Sequence, residues 1–320
     1  MIDARLVAVT GGTGFVGQAV VRELLNNGYR VRLFAREFSK KCLFPGQEVE
    51  LVLGNLFDEN TRAHFLKDAD AVLHVAGATK VKYPADFFQI NAKLCTLLLE
   101  SAKIFSPKAH FVLISSLAAR EPHLSPYAKS KRLAEDSLLT LWKDKPWTII
   151  RPPAVYGPGD EELLPLFKSA ALGFFPLPTI KKSRVALLHV QDLACVVFHV
   201  LHKQNQITNC LIEVSDENNA GYTPVDLQKA FSEVFGTRLR LFFIPCLLLS
   251  ICAHYYWLTT PFRKKAVMLM PWKIAELRHP DWSVSLSPEL KKSNWRPRIG
   301  LKDGLTDTLK WYRNNIRKFK

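Results

Sequence analysis

The 320-residue chain has no C-x-x-C pair among its six cysteines and no H-x-x-x-H pair among its nine histidines. Spacing therefore encodes neither a zinc knuckle nor a metal-binding helix, and no metal site is expected. Glycine and proline, at 15 and 19 residues, are too few for a low-complexity chain, and 48% hydrophobic residues exclude disorder. No basic n-region or small-residue cleavage site precedes Leu6-Val7-Ala8-Val9, which enters a strand-like run at once. Secretion is not expected, and the reading is cytoplasmic. Cys42, Cys95, Cys195, Cys210, Cys246 and Cys252 lie mostly in apolar stretches and are expected to be reduced, buried thiols.

Acidic residues are also scarce, 29 against 44 Lys and Arg, for a net charge of +15. The excess is localised. Residues 1–150 carry 20 basic and 15 acidic side chains, residues 151–260 nine of each, and residues 261–320 carry 15 against five. A nucleic-acid binder needs its basic face on the functional domain, so no nucleic-acid partner is expected. A basic tail facing an anionic surface fits this distribution.

Short apolar runs of strand length alternate with helical patterns through the first half: Leu6–Val9, Val31–Phe34, Val49–Leu53, Ala71–Val75, Phe111–Ile114 and Thr148–Ile150. Helical patterns lie between them, including Val16–Asn27, Phe87–Ser101 and Ser130–Leu141. That alternation predicts an α/β fold, a doubly wound parallel sheet of Rossmann type. The expected division is a dinucleotide-binding domain over 1–160, with segments about 185–215 returning to it. A smaller substrate-capping lobe with a basic tail follows over 161–320. Cys210–Val214 reads as a strand and Pro224–Phe235 as a helix.

Thr10-Gly11-Gly12-Thr13-Gly14-Phe15-Val16-Gly17 joins the first strand to the first helix. Glycines there permit a tight turn and bring a helix N-terminus up to a pyrophosphate, whose charge suits the helix dipole. The second strand ends Leu33-Phe34-Ala35-Arg36, so Ala35 stands where an NAD-selecting carboxylate would stand. Losing that carboxylate relieves repulsion with a 2′-phosphate, and the Arg36 guanidinium suits one, so NADP(H) is favoured over NAD(H).

Tyr127 and Lys131 form a Y-x-x-x-K pair one helical turn apart. A phenol titrating near 10 needs help to exchange protons at neutral pH, and an ammonium one turn away stabilises the phenolate. Ser116, at the end of the Phe111–Ile114 strand, supplies a hydroxyl to hold a substrate oxygen.

With these motifs in order, the chain resembles the extended, epimerase/dehydratase-like branch of the short-chain dehydrogenase/reductase superfamily. The resemblance runs through the glycine loop, Gly54-Asn55-Leu56, His74-Val75-Ala76-Gly77, Asn91, Ser116, Tyr127/Lys131 and Arg151-Pro152-Pro153-Ala154-Val155-Tyr156-Gly157. It closes on Asn294-Trp295-Arg296-Pro297 and Gly304-Leu305. It implies Tyr127 as acid/base, Lys131 lowering its pKa and holding the nicotinamide ribose, Ser116 orienting the substrate oxygen and Asn91 supporting a relay water. Gly11, Thr13, Gly14, Phe15, Val16, Gly17, Arg36, Asn55, Leu56, Val75, Ala76, Gly77 and Pro153 would contact the cofactor. Two departures stand out. Asn55 replaces the usual adenine-binding Asp, and the 117–126 segment is short and lacks the Val-Tyr-Gly that many nucleotide-sugar enzymes carry after the serine.

Leu241–Leu258 is apolar nearly all round, with Arg238 and Arg240 before it and Arg263, Lys264 and Lys265 after. It is short for a membrane span. A buried or substrate-covering helix is the leading expectation, and peripheral contact of 241–265 with the inner face of a membrane is the other. Three functions remain open. The first is an NADP(H)-dependent oxidoreductase acting on a small-molecule alcohol or ketone, lipophilic as in the hydroxysteroid and dihydroflavonol members. The others are a nucleotide-sugar epimerase or dehydratase and a non-catalytic NADPH-binding assembly protein. A homodimer is compatible with each.

Overall fold

The computed structural model describes residues 5–36, 44 and 46–316. Seven strands build the main sheet: β1 Leu6–Thr10, β2 Arg30–Ala35, β3 Glu50–Leu53, β4 Ala71–His74, β5 His110–Ile114, β6 Trp147–Arg151 and β7 Cys210–Glu213. All neighbours pair in parallel, in the order β7-β6-β5-β4-β1-β2-β3. Every residue of β1 is buried, as a central strand covered on both faces requires. Its alternation sorts the two cores. Val7 and Val9 pack with Val20, Val21 and Leu24 of the first helix and Val196 and Val197 of the Val190–His202 helix. Ala8 faces the opposite core of Leu98, Leu99, Leu138 and Trp142.

Strand order reverses between β1 and β4, so a crevice opens beyond the carboxyl ends of these strands. Thr10 and His74 stand at those ends, and Ser115 stands just past the end of the adjacent β5. Thr10 Oγ1 accepts from the Ala76 amide at 3.3 Å and lies 2.7 Å from His74 Nδ1. Burial takes the His74 imidazole down to about 3, so it is a neutral strut between the two strands.

A third core, with Phe167, Phe175, Phe231, Leu305 and Tyr312, lies in the C-terminal half. Its Pro224–Phe235 helix starts on a capping box between Thr223 and Asp226 and ends on Gly236 at φ 67°. Gly304 lies inside the last helix, Leu301–Asn315, because a Cβ there would sit 2.5 Å from the Tyr156 hydroxyl. The closing Gly-Leu pattern is thus a packing requirement.

The structure changes three expectations. The helix expected over 87–101 starts at Pro84, widens into a π-helical stretch over Phe88–Lys93, and resumes as Leu94–Phe105. Among the five described cysteines only Cys95 is buried, Cys246 is exposed and the others are half-buried; Cys42 lies outside the described residues. The expected buried helix over 241–258 is corrected most. Arg240–Phe243 is a strand, and the Cys246–Leu258 helix buries only Leu249 and Ala253. Most of its large side chains face outward because the helix touches the body along one narrow stripe. Among the described residues no helix is long and apolar enough to cross a membrane.

Candidate active site

The glycine loop is dictated by contacts a Cβ would make. Gly11 has φ 72°, and a Cβ there would lie 2.5 Å from the Ala76 nitrogen. At Gly17 it would lie 2.1 Å from the Gly11 carbonyl oxygen. These two positions are closed by backbone. Gly14 is different. It caps the Phe15–Asn26 helix without a side-chain bond, and a Cβ there would meet only the Gly11 carbonyl, at 3.4 Å. One face of the loop is therefore open where the free amides of the helix N-terminus point, a fit for a dinucleotide pyrophosphate. Thr13, Phe15 and Val16 line this turn. Val75, Ala76 and Gly77 run past it from the end of β4, and Pro153 follows β6.

Ala35 is buried at the end of β2, and Arg36 is exposed just beyond it. No described acidic residue pairs with Arg36. Leu56 is buried, whereas exposed Asn55 accepts from the Phe57 amide through Oδ1 at 3.0 Å. The oxygen that the resemblance assigns to adenine thus already holds its own turn, with one lone pair left to offer.

Ser116, Tyr127, Lys131 and Asn91 converge. Tyr127 and Lys131 lie on the Pro126–Leu141 helix, capped by Ser125, whose hydroxyl accepts from the Ala128 amide at 3.0 Å. The Tyr127 phenol lies beside Ser116, the residue that caps the short 3-10 turn Leu117–Arg120. Burial pushes the Tyr127 phenol up to about 12; the Ser116 hydroxyl opposes this rise and Glu276 adds to it. Lys131 Nζ donates to the Ile114 carbonyl at 2.8 Å and lies close to Gly77. Asn91 sits in the π-helical stretch, its amide bonded both ways to the Ala78 backbone (2.7 and 3.1 Å) and to Ser130 Oγ at 2.9 Å. The widened turn is what lets one side chain reach two neighbouring segments.

Burial lowers the Lys131 ammonium to about 8, with Cys95 and Glu135 working against the drop. Its charge is full below that pH and lost above it. If Lys131 supports a phenolate at Tyr127, kcat/KM is expected to fall as pH rises through about 8. A profile flat to pH about 10, the ordinary lysine value, would remove Lys131 from that role.

Other residues shape the site without a motif to announce them. Lys273 lies 4.7 Å from the Tyr127 ring centroid and pairs with buried Glu276, which also bonds Ser125. Phe87 meets the Tyr127 ring edge-on at 5.7 Å, and Trp272 and Trp282 pack around the same cluster. Behind the serines, buried Glu135 takes the Ser115 hydroxyl at 2.5 Å and holds Arg151 at both oxygens, 2.9 and 2.6 Å. Glu135 had a usable sequence signal, one turn beyond Lys131 on the same face. Lys273 and Glu276 lie nearly 150 positions from Tyr127 and had none.

The model of the NAD dependent epimerase/dehydratase family matches residues 7–210. The chain belongs to that family. Its sequence is 36% identical over 313 residues to a ceramide reductase of Caulobacter vibrioides, covering 97% of this chain and 96% of that one. It is 27% identical over 190 residues to the human decarboxylating sterol-4-alpha-carboxylate 3-dehydrogenase, across 53% of this chain and 49% of that enzyme. In fold it is similar to dTDP-glucose 4,6-dehydratase from Bacillus anthracis in complex with NAD, with a TM-score of 0.75 and 19% identity. That match covers 99% of this chain and 100% of the dehydratase. The family assignment agrees with the resemblance read from the motifs, and the fold with the expected Rossmann class.

Proposed function

We propose that this family member is an NADP(H)-dependent oxidoreductase that interconverts a ketone and an alcohol on a lipophilic small molecule. The observation that carries this reading is Tyr127, beside Ser116 and buried among Phe87, Trp272 and Trp282. An aromatic enclosure around a proton donor suits an apolar carbonyl better than a sugar nucleotide, whose phosphates need cationic partners. The likeness to a ceramide reductase supports the same substrate class.

In the reductive direction Ser116 holds the carbonyl oxygen and Tyr127 gives it a proton. Asn91 keeps the chain beside Ala78 in place for a relay, and Lys131 offsets the charge left on the phenolate. A bound nicotinamide would supply the hydride. Residues 11–17 would hold its pyrophosphate, Val75–Gly77 and Pro153 its nicotinamide half, and Asn55 and Leu56 its adenine. Lipid-dispersed long-chain ketones, 3-oxosteroids and nucleotide sugars offered with NADPH distinguish the readings. Turnover of the lipid ketones is expected, whereas turnover of nucleotide sugars alone would overturn the proposal.

Arg36 carries the cofactor preference. Arg36→Ala is expected to weaken NADPH about 10–100-fold and leave NADH nearly unchanged, the loss of one charge-assisted phosphate contact. Thermal-shift titration with both cofactors reads this directly. Equal responses in the unaltered protein would remove Arg36 from the argument. A peripheral membrane position belongs to the same reading, because a lipophilic substrate resides there.

A further inference from the structure

The Cys246–Leu258 helix presents its apolar side outward. Leu247 is 74% exposed, Ile251 58% and Leu258 66%, with Leu248 and Tyr255 also open. At 100° per residue these five fall within an arc of about 100°. Leu249 and Ala253, the buried pair, lie on the opposite side. Amphipathic helices of water-facing surfaces have the reverse arrangement. The exposed apolar surface continues into the next turn, where Phe262 is 90% exposed.

Cations border this surface at both ends. Arg238 and Arg240 are exposed just before it, and Lys264 and Lys265 just after. Arg263 is fixed at the helix end, its guanidinium 4.7 Å from the Tyr256 ring centroid and its Nε donating to Thr259 Oγ1 at 2.9 Å. No acidic residue occurs between Glu233 and Glu276. Apolar side chains flanked by Arg and Lys, with Tyr255 and Trp257 among them, match the layers of a bilayer surface: acyl chains, then anionic headgroups. A second protein copy would have to supply acidic partners for five cations in a chain that is itself strongly basic.

The same helix packs against the Pro271–Lys273 turn. That turn places Trp272 in the cluster around Tyr127 and Lys273 beside its ring. The surface and the candidate active site therefore share a wall.

We propose that the Cys246–Phe262 segment docks this protein on an anionic bilayer, the outward face of its helix entering the acyl layer, so that substrate passes from the leaflet along the Pro271–Lys273 turn to Tyr127. The docking stands on the surface alone; the passage of substrate rests on the lipophilic-ketone reading above.

The test uses the full chain and vesicle flotation. The protein is expected to float with phosphatidylglycerol-rich vesicles and much less with pure phosphatidylcholine. The triple variant Leu247→Ser/Ile251→Ser/Leu258→Ser is expected to lose at least about tenfold in partitioning with an unchanged melting temperature, since these side chains support no core. Its turnover of a short, water-soluble ketone should equal that of the unaltered protein, while turnover of a vesicle-borne ketone falls. No flotation, or flotation unaffected by the triple variant, overturns docking. So does a dimer in light scattering that the triple variant dissociates, which would assign the face to a second copy. Flotation without turnover of any ketone would leave docking standing and refute the oxidoreductase reading instead.

Discussion

Replacing Tyr127 by Phe is expected to lower kcat/KM about 10²–10⁴-fold, the usual worth of a positioned proton donor. The substitution removes one oxygen and little else. The ring keeps its edge-on contact with Phe87 at 5.7 Å and Lys273 at 4.7 Å from its centroid. The fold should therefore survive, and NADPH should still raise the melting temperature. What is lost is the hydroxyl beside Ser116. Burial holds that phenol protonated across the neutral range, which suits a group that donates to a carbonyl oxygen. Steady-state kinetics on the substrate found above would check this. Retention of full turnover would transfer the proton step to another group and dismantle the proposed mechanism.

The largest expected effect on stability lies one layer deeper. Glu135→Ala should cost about 3–5 kcal/mol, because it leaves the Arg151 guanidinium in a dry site without its main counter-ion. Glu135 is 1% exposed and receives three bonds, two from Arg151 and one from Ser115. Glu213 remains to Arg151 at 3.3 Å but is more open to water and meets it through one nitrogen only. Urea unfolding would register the loss as a lower midpoint at unchanged slope. The double variant Glu135→Leu/Arg151→Met should recover much of it, since apolar groups of similar volume often replace a buried pair without penalty. A single-variant cost below about 1 kcal/mol would show that the pair behaves as a surface one.

The fold was legible because its signals are local. An all-apolar run such as Leu6–Val9 and the glycine turn behind it leave few alternatives to a central parallel strand feeding a helix. The positions brought together around Tyr127 were legible for the same reason: Ser116, Tyr127 and Lys131 follow one strand and occupy one helix. The Cys246–Leu258 helix was not legible. Composition reports that a segment is apolar, but whether that surface is covered depends on what the rest of the chain packs against it. The widened turn at Asn91 escaped too, because a single π-helical stretch inside a helix leaves no mark on the apolar periodicity. Lys273 and Glu276 reach Tyr127 only through tertiary folding.

That last contact joins Tyr127 to a distant part of the chain. The strands of the parallel sheet end with β7, yet the surroundings of Tyr127 draw Trp272, Lys273 and Glu276 from far beyond it. A change at Trp272 or Glu276 should therefore reach Tyr127 without touching the glycine turn, so cofactor binding and the proton step can be altered separately.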